Sequence, residues 1–542
     1  MIGPLLWCLV APLLLAAVCL LLRSAVWPRW LALAGSLLTL AIGGYALLDF
    51  AQHPGADFRL QQSLAWSPDF GANLAVGVDG MGAAMLFLSG LVTAMATIVA
   101  WRHERSPGTY HALVLLLLAA MNGVFVALDL LVFYVSWEAV LLPMLPLVGV
   151  FGGPQRRYAA LKFFAYTLAG SVTMLAMLLA LWSVTPAAGR SVLVPASTIA
   201  AYSIDGGATL HGLPVLRTAD SPIATVHVPR GFDLRHLALQ ANAWADARFL
   251  GWSLAAFGFL AVLLACLVKV PAVPLHTWLP HAHVQAPTAV SVLLAGVLLK
   301  LGVYGLYRVA WPLFPSQAIE WAPTLGVIAL VGILWGAYAA LGQRDLKRLV
   351  AYSSVSHMGF CLLGLASMTA VGAIGGLVQA VTHGLSSSLL FVLVGVVYDR
   401  AHHRDVAGFG GLMRPMPRFA WLLLVAALAG AGLPGLAGFV GELLALLGAF
   451  TAKGSFPWLA AIATLSVVLS AAYMLWTVKR VAFGPLRHAE HATFPDCDRR
   501  ELAAMLPLVV LLVVLGCWPA PLVNALRPAC EALLMHVQGA LR

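Results

Sequence analysis

Five ionisable side chains lie within stretches of apolar sequence: Glu138, Lys162, Lys269, Lys300 and Glu442. A charge at the centre of a bilayer costs about 2.5–3.5 kcal/mol on insertion scales, so each of these residues needs a partner, a water path or a function. Carboxylates and amines at membrane depth can exchange protons, because their separation decides which protonation state is favoured. The pattern therefore predicts proton transfer within a membrane.

Lys269 has the most informative neighbours. Pro271 and Pro274 follow it and cannot donate backbone hydrogen bonds, so they interrupt the helix. The carbonyls that are freed at this depth must be buried in protein or meet water. Burial disfavours a charged ammonium, whereas a carboxylate such as Glu138 favours it, so movement of that carboxylate would load or release a proton. The alternative is that Glu138 pairs with a lysine only to hold two helices together.

Four further residues extend this hypothesis. Lys300 lies far from the ends of its apolar run, although snorkelling to an interface is a simpler explanation. Glu442 follows a second interruption at Pro434 and would be the last titratable group of the other half of the chain. His357 and His383 lie between the two halves, beside Ser, Thr and Gln residues that can hold water. Because histidine titrates near neutral pH, both are predicted to relay protons, against the alternative of buried structural histidines.

Metal and cofactor chemistry is not expected. His276, His281 and His283 are closely spaced, but they fall in a proline-rich segment without a carboxylate, so no metal site is predicted. The seven Cys contain no C-x-x-C pair, which argues against a disulfide framework or a cysteine-ligated cluster. The net charge of +10 comes from basic residues in short loops, so nucleic-acid binding is not expected either.

The composition requires a membrane protein. Of 542 residues, 61% are hydrophobic and only 10% are charged, whereas soluble domains carry about 25% charged residues. Apolar runs of about 20 residues predict an all-α polytopic protein with about 14 transmembrane helices, two of them broken. The distribution of basic loops predicts a bacterial inner membrane location with both termini periplasmic. The polar segment 185–247 predicts an extramembrane loop that could contain a β-hairpin.

The motifs resemble those of the antiporter-like membrane subunits of respiratory complex I, a family shared with multisubunit cation/proton antiporters and membrane-bound hydrogenases. The resemblance covers roughly residues 75–480. It is carried by the run from Lys269-Val-Pro to Leu-Leu-Lys300, by Val350-Ala-Tyr-Ser-Ser-Val-Ser-His-Met-Gly359, by His383-Gly-Leu-Ser386 and by Leu433-Pro-Gly.

The resemblance implies Glu138 and Lys269 as a coupled ion pair, Lys300 as the central relay and Glu442 as the terminal proton carrier. It also implies two inverted five-helix repeats. The expected organisation is three N-terminal transmembrane helices in 1–110, a first repeat in 111–310 that includes the loop 185–247, a second inverted repeat in 321–478, and an inner loop with a C-terminal helix in 479–542.

The implied function is proton translocation within an NADH:quinone oxidoreductase type assembly, coupled to quinone reduction in other subunits. Sister antiporter-like subunits and membrane lipid are the expected partners. Two alternatives stay open: a subunit of a Na⁺(K⁺)/H⁺ antiporter or membrane-bound hydrogenase, and a structural subunit that does not pump. The chain departs from the family pattern at His281, where an Asp is usual, and in the length of its 185–247 loop.

Overall fold

The computed structural model describes residues 3–22, 24, 26–186, 188–195, 209–216, 223–244, 247–249 and 251–539. In these ranges, 12 helices are long and apolar enough to cross a membrane by length and composition, which confirms the predicted all-α membrane fold. The predicted total of about 14 spans stays a prediction. In chain order the helices are α1 (Pro4–Leu21), α2 (Trp27–Gln52), α3 (Gly80–Arg102), α4 (Pro107–Val126), α5 (Leu130–Gly149), α6 (Arg156–Val184), α7 (Leu234–Leu239), α8 (Leu254–Lys269), α9 (Trp278–Gln285), α10 (Thr288–Leu313), α11 (Pro315–Leu341), α12 (Leu346–Ala366), α13 (Ala370–Ala401), α14 (Pro417–Gly430), α15 (Ala437–Phe450), α16 (Phe456–Val481), α17 (Arg499–Cys517) and α18 (Ala520–Gly539).

All the described strands lie at one end of the helix bundle, which we call the sheet end. The strands are β1 (Arg59–Ser67), β2 (Ala72–Val78), β3 (Arg190–Pro195), β4 (Thr209–Leu210), β5 (Leu213–Leu216), β6 (Ile223–Val228), β7 (Arg248–Phe249) and β8 (Trp252–Ser253). The first and last described segments both lie at this end: the Gly3 amide donates to Gln62 at 2.7 Å, and a ring nitrogen of His536 lies 2.9 Å from the Pro312 carbonyl oxygen. The other end, called the loop end, includes residues 103–106, 150–155, 342–345, 402–416 and 482–498.

The extramembrane segment is larger than the predicted hairpin. Four antiparallel strands occur in the order β3-β6-β5-β4, and β3 pairs with β6 from Arg190↔Val228 to Pro195↔Ile223. Alternate residues of β6 are buried in a small separate core, as expected for a sheet with one covered face. The helix α7 then joins this sheet to the bundle through the bridge Asp129↔Asp233.

Two helices are interrupted at the predicted places. The first interruption lies between α8 and α9 and the second between α14 and α15. The indole Nε1 of Trp278 donates to the Val268 carbonyl at 3.0 Å, which satisfies one acceptor freed by the first break. Because α8 begins beside β8 and α14 begins beside Asp496 at the loop end, the two interrupted helices run in opposite directions.

The last helix, α18, was not predicted from the sequence as a separate element. It follows α17 closely and contains Pro528, Arg527 and Glu531, so its apolar character is weaker than that of the spans. Its buried face packs on α2, α3 and α13. Together with α7 and α10 it surrounds a cavity of about 100 Å³ at the sheet end.

A buried ion pair borders this cavity and joins α3 to α10. The Arg308 guanidinium donates to Asp79 at 2.6 Å and to the Tyr304 hydroxyl at 3.0 Å. Asp79 also caps α3 by accepting from the Gly82 amide at 2.9 Å. The pair therefore fixes the start of α3 against the end of α10 near the membrane boundary.

We expect Asp79→Asn to lower the stability of the protein by about 3–5 kcal/mol, because it leaves the Arg308 charge buried without a counter-ion. The matched control is Asp57→Asn, whose partner Arg59 lies 3.3 Å away in a more exposed pair and whose loss should cost less than about 1 kcal/mol. Thermal denaturation of the solubilised protein measures both changes. Equal losses in the two variants would contradict a structural role for the buried pair.

Candidate functional site

Lys300 lies at the centre of the bundle on α10. Its side chain is 0% exposed. Two π-helical segments, Leu294–Leu298 and Leu306–Ala310, flank it on the same helix, and such widened turns are frequent at functional sites. The Lys300 amine donates to the Ala295 carbonyl, and it lies 2.8 Å from Nδ1 of His383. An ammonium can donate to that nitrogen only when Nδ1 of the imidazole carries no proton, so a single proton is shared across this contact.

A second group of contacts continues from His383 to Glu442. The imidazole rings of His383 and His357 have centroids 5.4 Å apart. Nδ1 of His357 lies 3.0 Å from Oε1 of Glu442. The amide of Gln379 lies beside both groups, at 3.3 Å from His357 and 3.5 Å from Glu442. Lys300, His383, His357 and Glu442 therefore form one buried polar row, which we call the central row.

The second interruption positions Glu442. Gly432 has a φ of +71°, a left-handed conformation that favours glycine. A Cβ atom there would lie 2.7 Å from Oε2 of Glu442. The turn after α14 thus leaves room for the carboxylate at the level where α15 begins.

Lys269 lies at the end of α8 and contacts a residue that the sequence analysis did not single out. Its amine donates to the Trp137 carbonyl at 3.0 Å and lies 4.2 Å from the centre of the Trp137 ring. Glu138 is the next residue of α5, and its Oε1 is buried without a hydrogen-bond partner among the described residues. The structure thus brings Glu138 and Lys269 into one neighbourhood, with the amine held on the tryptophan.

Lys269 and Lys300 come from helices that pack closely. A Cβ atom at Gly302 of α10 would lie 2.6 Å from the Cys266 carbonyl oxygen of α8. The surroundings of Lys269 therefore adjoin the central row at this close helix contact, but no hydrogen bond among the described residues joins the Lys269 amine to the Lys300 amine.

The fifth candidate, Lys162, does not reach the central row. Its amine lies 3.4 Å from Nδ1 of His281, and the rings of Tyr158 and Tyr166 lie 5.8 and 5.9 Å from it. His281, the residue at which the chain departs from the family pattern, is thus its neighbour. Within the described part of the chain, no group of three or more His, Cys, Asp or Glu side chains could hold a metal ion.

Two buried residues, Lys347 and Trp137, were not predicted from the sequence to take part in these contacts. Gln379 was expected only to hold water beside His383, and the structure places its amide against both His357 and Glu442. Lys347 is buried near the start of α12, where its amine donates to the Ala286 carbonyl at 2.7 Å. Trp137 carries no charge, so nothing in the sequence set it apart from other apolar residues.

The sequence of the chain is similar to those of known membrane proteins. Residues 127–199 and 225–470 match the family described as NADH:quinone oxidoreductase/Mrp antiporter, TM. NADH-quinone oxidoreductase subunit M of Rhodobacter capsulatus is 37% identical over 519 residues, which cover 95% of this chain and 91% of that protein. The protein of the same name from Pseudomonas aeruginosa is 37% identical over 550 residues, which cover 99% and 98%.

Solved structures have the same fold. A chain of respiratory complex I from Thermus thermophilus with bound NADH superposes with a TM-score of 0.81 at 31% identity, covering 98% of this chain and 99% of that one. A chain of the Mrp complex from Dietzia sp. DQ12-45-1b gives a TM-score of 0.80 at 20% identity, covering 99% of each chain. The second match concerns the fold alone.

Proposed function

The chain belongs to the NADH:quinone oxidoreductase/Mrp antiporter transmembrane family, and from this membership we propose that it translocates protons as subunit M of an NADH:quinone oxidoreductase. The observation that carries the proposal is the central row of Lys300, His383, His357 and Glu442. Each member can accept and donate a proton. Buried ionisable groups of this kind are functional more often than structural, because an idle charge at this depth is costly.

Proton transfer along the row begins at Lys300. The Lys300 ammonium gives its proton to Nδ1 of His383, which leaves a neutral amine and an imidazolium. Nε2 of His383 has no partner among the described residues, so it can meet a water that leads to His357. His357 then protonates the carboxylate of Glu442 across 3.0 Å. Every transfer moves a positive charge, and the displaced charge changes the proton affinity of the next group.

Glu138 and Lys269 control entry to the row in this proposal. Proximity of the Glu138 carboxylate keeps Lys269 protonated, and separation of the two lets Lys269 release its proton. Quinone reduction in a neighbouring part of the assembly supplies the energy for that separation. In this proposal the redox chemistry takes place in other subunits of the assembly.

The proposed orientation follows from the charges at the two ends. The loop end carries many of the basic residues, among them Arg344, Arg404 and Arg414, and such loops face the cytoplasm. The sheet end, with both described ends of the chain, then faces the periplasm of a bacterial inner membrane. Exposed apolar side chains on α5, α6, α11 and α16 provide faces for lipid and for sister subunits.

Cation/proton exchange is the second candidate function, since the family includes Mrp antiporters. A sodium ion prefers several oxygen ligands, whereas the central row offers one carboxylate among two imidazoles and an amine. Proton transfer therefore fits the row better than cation binding.

A measurement of ion dependence tests the proposal. Inside-out vesicles that carry the assembled complex are given NADH and quinone in choline medium and in sodium medium. We expect equal acidification of the vesicle lumen in both media, measured with a pH-sensitive fluorophore. Acidification that requires sodium would contradict proton pumping and favour cation exchange.

A further inference from the structure

Trp137 holds the Lys269 amine from two directions at once. Its backbone carbonyl accepts a hydrogen bond from the amine at 3.0 Å, and its ring centre lies 4.2 Å from the same nitrogen. The distance to the carbonyl oxygen is that of a hydrogen bond. The distance to the ring centre is within the range of a cation–π contact. The adjacent Glu138 leaves Oε1 buried without a hydrogen-bond partner among the described residues. Lys269 thus rests on the tryptophan instead of on the carboxylate.

The Trp137 ring is fixed in place by its neighbours. Its side chain is 0% exposed, and Phe133 stacks on it with centroids 5.7 Å apart. A Cβ atom at Gly305 of α10 would lie 3.2 Å from one ring carbon of Trp137 and 2.8 Å from Sγ of Cys266 on α8. The indole is therefore packed between α5, α8 and α10. Its Nε1 has no partner in the described part of the chain, so the ring acts through its faces.

This arrangement offers one ammonium two places to rest. The first is the face and carbonyl of Trp137, and the second is the carboxylate of Glu138 on the next residue of the same helix. The negative face of an indole attracts an ammonium but hardly attracts a neutral amine. The ring therefore stabilises a protonated Lys269 away from its counter-ion.

We propose that Trp137 is a positioning residue, which holds the protonated Lys269 amine away from Glu138 until its proton passes toward Lys300. The inference rests on the proposed function, since it assigns Lys269 a place within the proton path. Trp137 thus competes with Glu138 for the Lys269 ammonium. When the ion pair is separated, the amine lies at a defined position against Trp137.

Graded fluorination of the Trp137 ring tests this role in the assembled complex. One, two or three ring fluorines weaken the negative face stepwise and change the side-chain volume very little, so a purely structural ring would tolerate them. We expect the logarithm of the quinone-driven pumping rate to fall steadily along the series, by about tenfold in total. Trp137→Phe should retain most of the pumping, and Trp137→Leu should lose it.

Trp311 provides the matched control for the series. It is buried on α10, its Nε1 also lacks a partner, and no cation stacks on its ring among the described residues. Fluorination there should leave the pumping rate unchanged. A flat response at position 137, or equal slopes at both positions, would overturn the role of Trp137.

Glu138→Gln, measured in parallel, separates this inference from the function on which it rests. If Glu138→Gln abolishes pumping while the fluorinated series is flat, the positioning role fails and the proton path stands. If Glu138→Gln also pumps normally, the proposed path itself fails.

Discussion

Lys300→Met is expected to reduce quinone-driven proton pumping by about 100-fold or more, the usual weight of a positioned proton-transfer group. Methionine has a similar length and no charge, so it can remain buried on α10 without a partner. Its thioether cannot give a proton to His383, the group that lies 2.8 Å from the Lys300 amine in the native protein. Fluorescence quenching in vesicles measures the pumping rate, and immunoblotting of the assembled complex measures its amount.

Lys453→Met is the matched control for this prediction, because Lys453 is exposed at the sheet end, between α15 and α16. The control should pump at the native rate. Native pumping by Lys300→Met, in a complex assembled to the native level, would show that protons do not pass through the amine of Lys300.

Glu442→Gln is expected to have the second large effect, again about 100-fold in pumping rate. The glutamine amide keeps nearly the shape of the carboxylate, so it can still contact His357 and Gln379. It cannot accept a proton from His357 across the 3.0 Å contact, however. The central row would then lack its last carrier, and proton transfer would stop at the imidazole.

Two further variants, a control and a shortened carboxylate, test the role of the Glu442 side chain. Glu320→Gln changes an exposed carboxylate on α11 and should leave pumping intact. Glu442→Asp keeps the carboxylate but withdraws it from His357 by one methylene, so we expect pumping between those of the native protein and Glu442→Gln. If Glu442→Asp and Glu442→Gln are equally active, transfer to the carboxylate is not part of the mechanism.

Much of the fold could be predicted because its signals are local. The two prolines after Lys269 and the Pro434-Gly435 pair predict interruptions of apolar helices, and the structure interrupts both helices there. The length of the apolar runs likewise indicated which segments form membrane-spanning helices. Only a possible β-hairpin was predicted where the four-stranded sheet lies, and α18 was not predicted, because short strands and a helix containing charges lack such local signals.

The central row was predicted in its members but not in its contacts. Lys300, His357, His383 and Glu442 stood out because titratable residues are rare in apolar sequence. Their order along the row depends on tertiary packing, which brings together residues that lie 83 positions apart in the case of Lys300 and His383. The contact between Trp137 and Lys269 joins residues 132 positions apart. Helical or strand periodicity in the sequence cannot reveal contacts between residues that lie so far apart in the chain.

In the proposed mechanism, protons pass through this chain under the control of Glu138 and Lys269. The most direct test of this mechanism is quinone-dependent proton pumping and electron transfer in vesicles that carry the assembled complex, compared between the native protein, Glu138→Gln and Lys269→Met. Glu104→Gln, at an exposed carboxylate of the loop end, is the control. We expect both central variants to lose pumping and electron transfer together while the complex stays assembled, because the two processes are tightly coupled. Unchanged pumping in both variants would contradict the account and leave the chain a structural subunit.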